Sequence, residues 1–213
     1  MRINEEFNRK LLVEGNDDQH VIWALCKRSG IPKTFDVVDC EGIDKLFEVV
    51  PVRFKQSEIQ AIGIIVDADT EIGRRWVAVK NLLSQQGFAP PDDLPPTGLI
   101  LSNESGVKAG VWIMPDNNLN GMLEDFISFL VPPDDELLPI ADATLAAIES
   151  QHLNKYALIH KSKAKIQTWL AWQDNPGAPM GLSITKRYLT TDEETCQRLI
   201  GWLRALFCEP ELS

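Results

Sequence analysis

The sequence predicts an α/β fold, a central and mostly parallel sheet flanked by helices, with a helical annex toward the C-terminal end. Three observations lead there. Short apolar runs alternate with helical stripes over the first part of the chain in the order βαβαβα, which builds a parallel sheet with crossover helices. The run AIGIIV at 61–66 is apolar throughout, as a strand covered on both faces must be. Beyond residue 130 only helical spacing remains.

Each element has its own signal. KLLVE at 10–14 is a short strand ending in a carboxylate, and Asn16 and Asp17 can cap a helix carrying Val21, Ile22, Leu25 and Cys26, stopped by Gly30 and Pro32. A second strand at 35–40 leads into a helix with Ile43, Leu46, Phe47 and Val50 at i, i+3, i+4 and i+7, expected to break near Pro51. The third strand is followed by a helix with the stripe Ile72, Trp76, Val79 and Leu83, ending before Gly87. The proline-rich loop APPDDLPP at 89–96 then precedes two strands, 97–101 and 109–114, which read as a hairpin around a turn at 103–106. A helix at 121–130 buries Met122, Leu123, Phe126, Ile127 and Leu130 before Pro132 and Pro133. Further helices are expected at 140–152, 160–172 and 192–207, the last packing internally through Leu199, Ile200, Trp202, Leu203, Leu206 and Phe207. The expected organisation is an α/β core at 1–130 and a helical C-terminal extension at 131–213 packed on the same domain. Trp112, Trp169, Trp172 and Trp202 are expected in the core.

Composition bounds the function. At 213 residues and 44% hydrophobic content the chain can bury one sizeable core. The opening MRINEEFNRK has no apolar signal region, and no stretch reaches the roughly 18 apolar residues of a membrane span, so a cytoplasmic protein without membrane contact is expected. The four cysteines have no CxxC spacing, which argues against zinc or a disulfide framework. With 31 acidic against 21 basic residues the net charge is −10, a field that repels polyanions and excludes a DNA-coating protein. Nucleic acid or a nucleotide could be held only locally, weakly and through a metal.

The carboxylates carry the chemistry. Glu14 ends the first strand, and Asp67 and Asp69 end the third. In a parallel sheet the C-terminal strand ends form the binding edge. Acids gathered there repel one another unless a cation neutralises them, and Mg²⁺ takes a few hard oxygens and keeps several waters. Either motif alone has a plainer use, since acids after strands commonly cap helices or make turns.

Together, LLVEGNDD at 11–18 and IIVDADT at 64–70 resemble the Toprim domain shared by topoisomerases, primases and related nucleases. The resemblance rests on Glu14-Gly15 and Asp67-Ala68-Asp69 and implies a Rossmann-like sheet with Mg²⁺-dependent phosphodiester chemistry. Closer still is the resemblance to the Toprim of the overcoming-lysogenization-defect (OLD) nucleases and their small stand-alone relatives, spanning 11–172. It implies that Asp18 in EGNDD and Glu124 in NGMLEDF join the metal-holding acids, and that a lysine of HKSKAKIQTWLAWQ completes the site. Lys161, Lys163 and Lys165 all qualify; we take Lys163. The implied cofactor is Mg²⁺ or Mn²⁺, with Glu14, Asp18, Asp67, Asp69 and Glu124 supplying enough carboxylate for two ions, and with Glu14 and Lys163 in catalytic roles. The GxxxxGK[ST] motif of the ATPase in larger OLD proteins does not occur in the chain.

Glu124 and Asp125 also suit a helix's first turn without any ligand, and the lysines suit a solvated face. His160 reads as an ordinary surface or core histidine. Tyr156 and Tyr188 lack the context of a strand-passing nucleophile, so hydrolysis is the expected reaction. A haloacid-dehalogenase phosphatase would need DxDx[TV], whereas Thr70 follows Asp69 directly. A receiver domain would place two adjacent acids after its first strand. The alternative to a nuclease is a non-catalytic Toprim module that binds metal with a nucleotide or a partner protein.

Overall fold

The computed structural model describes residues 5–208. Its elements are β1 (Arg9–Val13), α1 (Asn16–Arg28), β2 (Asp36–Asp39), α2 (Ile43–Phe54), β3 (Ala61–Asp67), α3 (Ile72–Ser84), β4 (Leu99–Ser102), β5 (Lys108–Met114), α4 (Leu123–Phe129), α5 (Leu137–Ser150), a 3-10 turn (Leu158–His160), α6 (Lys161–Ala171), α7 (Met180–Thr185) and α8 (Glu194–Phe207). The sheet order is β2-β1-β3-β5-β4. β1 pairs parallel with β2 and β3, β3 pairs parallel with β5, and β4 returns antiparallel on β5. The chain therefore leaves β1 to one side for β2 and comes back to the other side for β3. That reversal is a switch point, and the crevice it opens lies at the C-terminal ends of β1 and β3.

Alternation along the strands feeds two apolar layers. Leu12, Ile62, Ile64, Val66, Val111 and Ile113 face α2 and α3, whose Leu46, Val50, Trp76, Val79 and Leu83 are buried against them. Leu11, Val13, Ile65, Trp112 and Met114 face the layer containing α1, α4, α6, α7 and α8. α8 lies very close to the sheet because Gly63 and Gly110, register partners on β3 and β5, leave it room. A Cβ on Gly110 would sit 2.4 Å from Leu206, and one on Gly63 would sit 2.9 Å from Phe207.

Several details differ from expectation. α2 runs through Pro51 and ends at Phe54, because Val50 is fully buried and Phe47 and Phe54 pack in the same layer, holding the turn that has lost one backbone donor. Gly15, not Asn16 or Asp17, is the N-cap of α1. α7 was not foreseen: six residues are too few to display a period, and its place is set by Gly181, where a Cβ would come within 2.6 Å of the His20 carbonyl on α1. Trp112, Trp169 and Trp202 are buried, but Trp172 at the end of α6 is 40% exposed, since the chain turns away there. All four cysteines are free thiols. Among the described residues no helix is long and apolar enough to cross a membrane.

Candidate metal centre

The site grows from the ends of β1 and β3. Glu14 is the first residue after β1, and its Oε1 accepts the backbone N–H of Asp67 at 2.8 Å, tying the two strand ends together through a side chain. Asp67 closes β3, and its Oδ1 accepts the N–H of Leu123, the first residue of α4, at 3.0 Å. Each carboxylate is thus oriented through one oxygen, while its other oxygen takes no hydrogen bond among the described residues.

Two helix starts close on this pair. Asp18, in the first turn of α1, accepts the Gly15 N–H at 3.1 Å and is 8% exposed. Glu124, in the first turn of α4, is 4% exposed. These positions suit acids, because a helix N-terminus favours negative charge. Asp69 sits just beyond, at φ 54°, in an exchange of backbone bonds with Gly121 at 2.8 Å each way. That conformation is uncommon for a residue with a side chain, and the Gly121 pairing holds it.

The acids act on one another. Burial first, then the charges of Asp18, Glu14, Glu124 and Asp69, push the Asp67 carboxyl well above its ordinary range. Burial and the neighbouring Glu14 push Asp18 up to about 7. Glu14 is raised too, chiefly by burial and against the pull of its Asp67 hydrogen bond and of Arg75. The other four acids singled out in the sequence, Glu14, Asp18, Asp69 and Glu124, therefore all act on Asp67. Among the described residues no three His, Cys, Asp or Glu side chains are placed so that together they could hold a metal ion. The donor set is carboxylate oxygen throughout, which suits a hard cation that retains water.

Of the three lysines, Lys163 reaches the cluster: its Nζ lies 3.2 Å from Glu124 Oε1. The charge of Glu124 is the main reason its ammonium is held above the usual lysine range, with Asp17 and Asp67 adding to it. Lys161 pairs instead with Glu149 at 2.6 Å and Lys165 with Asp142 at 3.7 Å. His160 is exposed at the start of α6. Tyr156 donates to Glu149 at 2.8 Å, and Tyr188 is half-buried against the core.

One residue was missed in the sequence. Arg75 on α3 donates Nε to the Asp67 carbonyl at 2.7 Å and reaches Asp69 Oδ2 at 2.5 Å, so one guanidinium spans both ends of the Asp67-Ala68-Asp69 turn. Asn120 supports the same turn by accepting the Ile72 N–H at 2.9 Å. The available signal was the placement of Arg75 four residues after Glu71, one turn into the helix that the acidic turn launches.

No curated protein matches the chain. A solved structure, the mercury-phased C-terminal region of the Xanthomonas campestris pv. campestris OLD protein, is similar to it at 15% identity, covering 85% of this chain and 94% of that one with a TM-score of 0.35. The match to a family model runs from residue 8 to residue 208, nearly the whole chain, and by it the protein belongs to DUF3226, a family described as proteins of unknown function.

Proposed function

We propose that this protein is a Mg²⁺- or Mn²⁺-dependent phosphodiesterase acting on nucleic acid, with Glu14, Asp18, Asp67, Asp69 and Glu124 holding the metal and Lys163 facing the phosphate. The observation that carries this reading is the meeting of Glu14 and Asp67 across the switch point, with Asp18, Glu124 and Lys163 closing on them from three different helices. Buried acids without enough cations are costly, and such a cost is retained where a ligand repays it. The Toprim-like motifs at Glu14-Gly15 and Asp67-Ala68-Asp69 point the same way.

The chain's own residues have separable tasks. Glu14 and Asp67 are aimed by the backbone amides they accept, each with one oxygen left to hold a cation. A bound divalent ion would supply an acidified water and screen the phosphate's charge. Arg75 keeps Asp67 and Asp69 at a fixed separation and is a positioning residue. Lys163 brings positive charge to an edge that otherwise repels phosphate, and in cleavage it would exchange Glu124 for the developing negative charge.

A second reading keeps the site without the cutting: a module that holds metal and a nucleotide or a partner protein. It is favoured by the Lys163–Glu124 ion pair, which already engages the ammonium that cleavage would need. The test is a time course on plasmid, linear DNA and single-stranded RNA with Mg²⁺, Mn²⁺ or EDTA, beside calorimetry with Mn²⁺. Weak cleavage that needs metal and vanishes in Asp67→Ala is expected, with Mn²⁺ binding no tighter than about micromolar. Cleavage unchanged in Asp67→Ala overturns the assignment. Mn²⁺ binding that depends on Asp67, without cleavage of any substrate, establishes the second reading.

A further inference from the structure

Away from the acidic site, one edge of the sheet carries a cleft walled on both sides. β2 is an edge strand. Cys40 N–H donates to Val13 O, so by the alternation of a parallel ladder the peptide groups of Val37 and Asp39 point away from β1. The Val37 carbonyl accepts the Gln19 side-chain amide at 2.7 Å, while the N–H groups of Val37 and Asp39 have no partner among the described residues. The opposite wall is α1, which presents Asn16, His20, Trp23 and Lys27 at i, i+4, i+7 and i+11. Trp23 is 39% exposed, with His20 edge-on to its ring at 5.1 Å.

Two cavities, of about 690 and 310 Å³, share Trp23, Asp36 and Val37 and so form one continuous groove along the strand. Its ends differ in character. The upper end is acidic, with Asp39 in no ion pair among the described residues and Glu41 paired only with the exposed Lys45. The lower end has an apolar floor of Ile31 and Phe35 between Lys27 and Lys33, the latter paired with Glu6, so the acidic character is confined to the upper end. Two free N–H groups on the strand edge, an exposed tryptophan beside it and an acidic rim at one end together fit an extended polypeptide that carries cations.

We infer that this groove docks an extended, lysine- or arginine-bearing segment of a partner protein, which adds as a strand to β2, lays an apolar side chain against Trp23 and places a cation at Asp39 and Glu41. Charge complementarity selects that occupant over an acidic peptide. The acidic end adjoins the metal centre, for Gly42 N–H donates to Glu14 O at 2.7 Å. A basic partner seated there would bring positive charge to the edge of a chain whose net charge is −10. This consequence rests on the proposed function; the docking does not.

The test uses fluorescein-labelled acetyl-(Lys-Val)4-amide and its Glu-Val counterpart in anisotropy titrations of the full chain, with hydrogen exchange at Val37 and Asp39. Saturable binding of the Lys-Val peptide, absent for Glu-Val, is expected together with slowed exchange at both amides. Trp23→Ala and Asp39→Lys should each weaken it by about tenfold or more, as truncation at a hot spot does. Asp67→Ala, which removes the metal centre, should bind the peptide like the unchanged protein, so loss of cleavage and loss of docking are read separately. Glu41→Lys, a fully surface change, repeats the charge test should Asp39→Lys disturb the fold. No saturable binding, binding indifferent to these substitutions, or sedimentation as a dimer that Trp23→Ala dissociates would overturn the proposal, the last by placing a second copy of this chain in the groove.

Discussion

The two ends of β1 handle buried acid in opposite ways. At the start of the strand, Asp36 accepts the Lys10 ammonium at 2.8 Å and the N–H groups of Glu6 and Phe7 at 2.9 Å each, while Lys10 also reaches Glu5 at 3.0 Å. Burial alone would push Glu5 up, yet Arg53 and Lys10 hold its carboxyl below the ordinary range. At the far end of the same strand, Glu14, Asp18 and Asp67 are all raised, and Lys163 is the cation that reaches their neighbour Glu124. The first end is a structural network with its charges balanced. The second spends stability on a cluster that a ligand would have to neutralise, the pattern expected of a functional site.

The largest effect should come from the balanced end. Lys10→Met leaves Asp36 buried without its cation and costs about 3–5 kcal/mol, the usual consequence of removing one partner of a buried pair. Urea unfolding would register the loss, and Mn²⁺ calorimetry on the folded fraction should be unchanged. A variant as stable as the parent would break the contrast, because the network would then be ornamental.

The second effect is a pH dependence of unusual sign. Asp18 has an ordinary carboxyl pKa of 3.8 when unfolded and one raised to about 7 when folded. The native state therefore binds more protons between these values, and stability falls as pH rises through that window. Glu5, lowered in the fold, acts oppositely and loses its contribution only as pH falls through its own, lower range. In EDTA the protein should be less stable at pH 8 than at pH 5. Asp18→Asn should flatten the slope, and saturating Mn²⁺ should reverse the loss at high pH. Rising stability from pH 5 to 8 in EDTA would sink the description of this end as unneutralised.

How much of this was legible in the sequence follows from the kind of information each feature needs. Glu14, Asp67 and Asp69 could be read because a strand end is a local property and parallel strands bring their ends to one edge. That the first three strands run parallel followed from the same alternation; that β1 lies between β2 and β3 did not. The choice among Lys161, Lys163 and Lys165 could not: residues two apart on a helix point to different sides, and only the docking of α6 beside α4 decides which side meets Glu124. Arg75 was hidden for a similar reason, since an arginine in a helix is unremarkable until Asp67 and Asp69 are known to lie beneath it. α7 and the close seat of α8 depend on Gly181, Gly63 and Gly110, whose meaning lies in what approaches them. Asp36 as a paired structural acid was invisible, because its partners Lys10, Glu6 and Phe7 lie on the preceding strand and arm.

The smallest change in stability should accompany the sharpest change in chemistry. Lys163 is a borderline member of the acidic end: its side chain is 53% exposed, whereas its partner Glu124 is 5% exposed. Solvent screens so exposed an ammonium, so Lys163→Met should cost less than Lys10→Met although it takes the cation from a buried Glu124. Lys161→Met and Lys165→Met, which disrupt more peripheral pairs with Glu149 and Asp142, should cost no more than about 1 kcal/mol. Stability separates the three only weakly; cleavage should separate them sharply. A cation that meets the phosphate in the transition state contributes about 10²–10³ in rate, so Lys163→Met should lose that factor while the other two remain near the parent. Lys163→Arg, which keeps the charge but not the compact ammonium, should fall between them. Equal cleavage by all three methionine variants would separate Lys163 from the chemistry and leave it as a counter-charge that makes the burial of Glu124 tolerable.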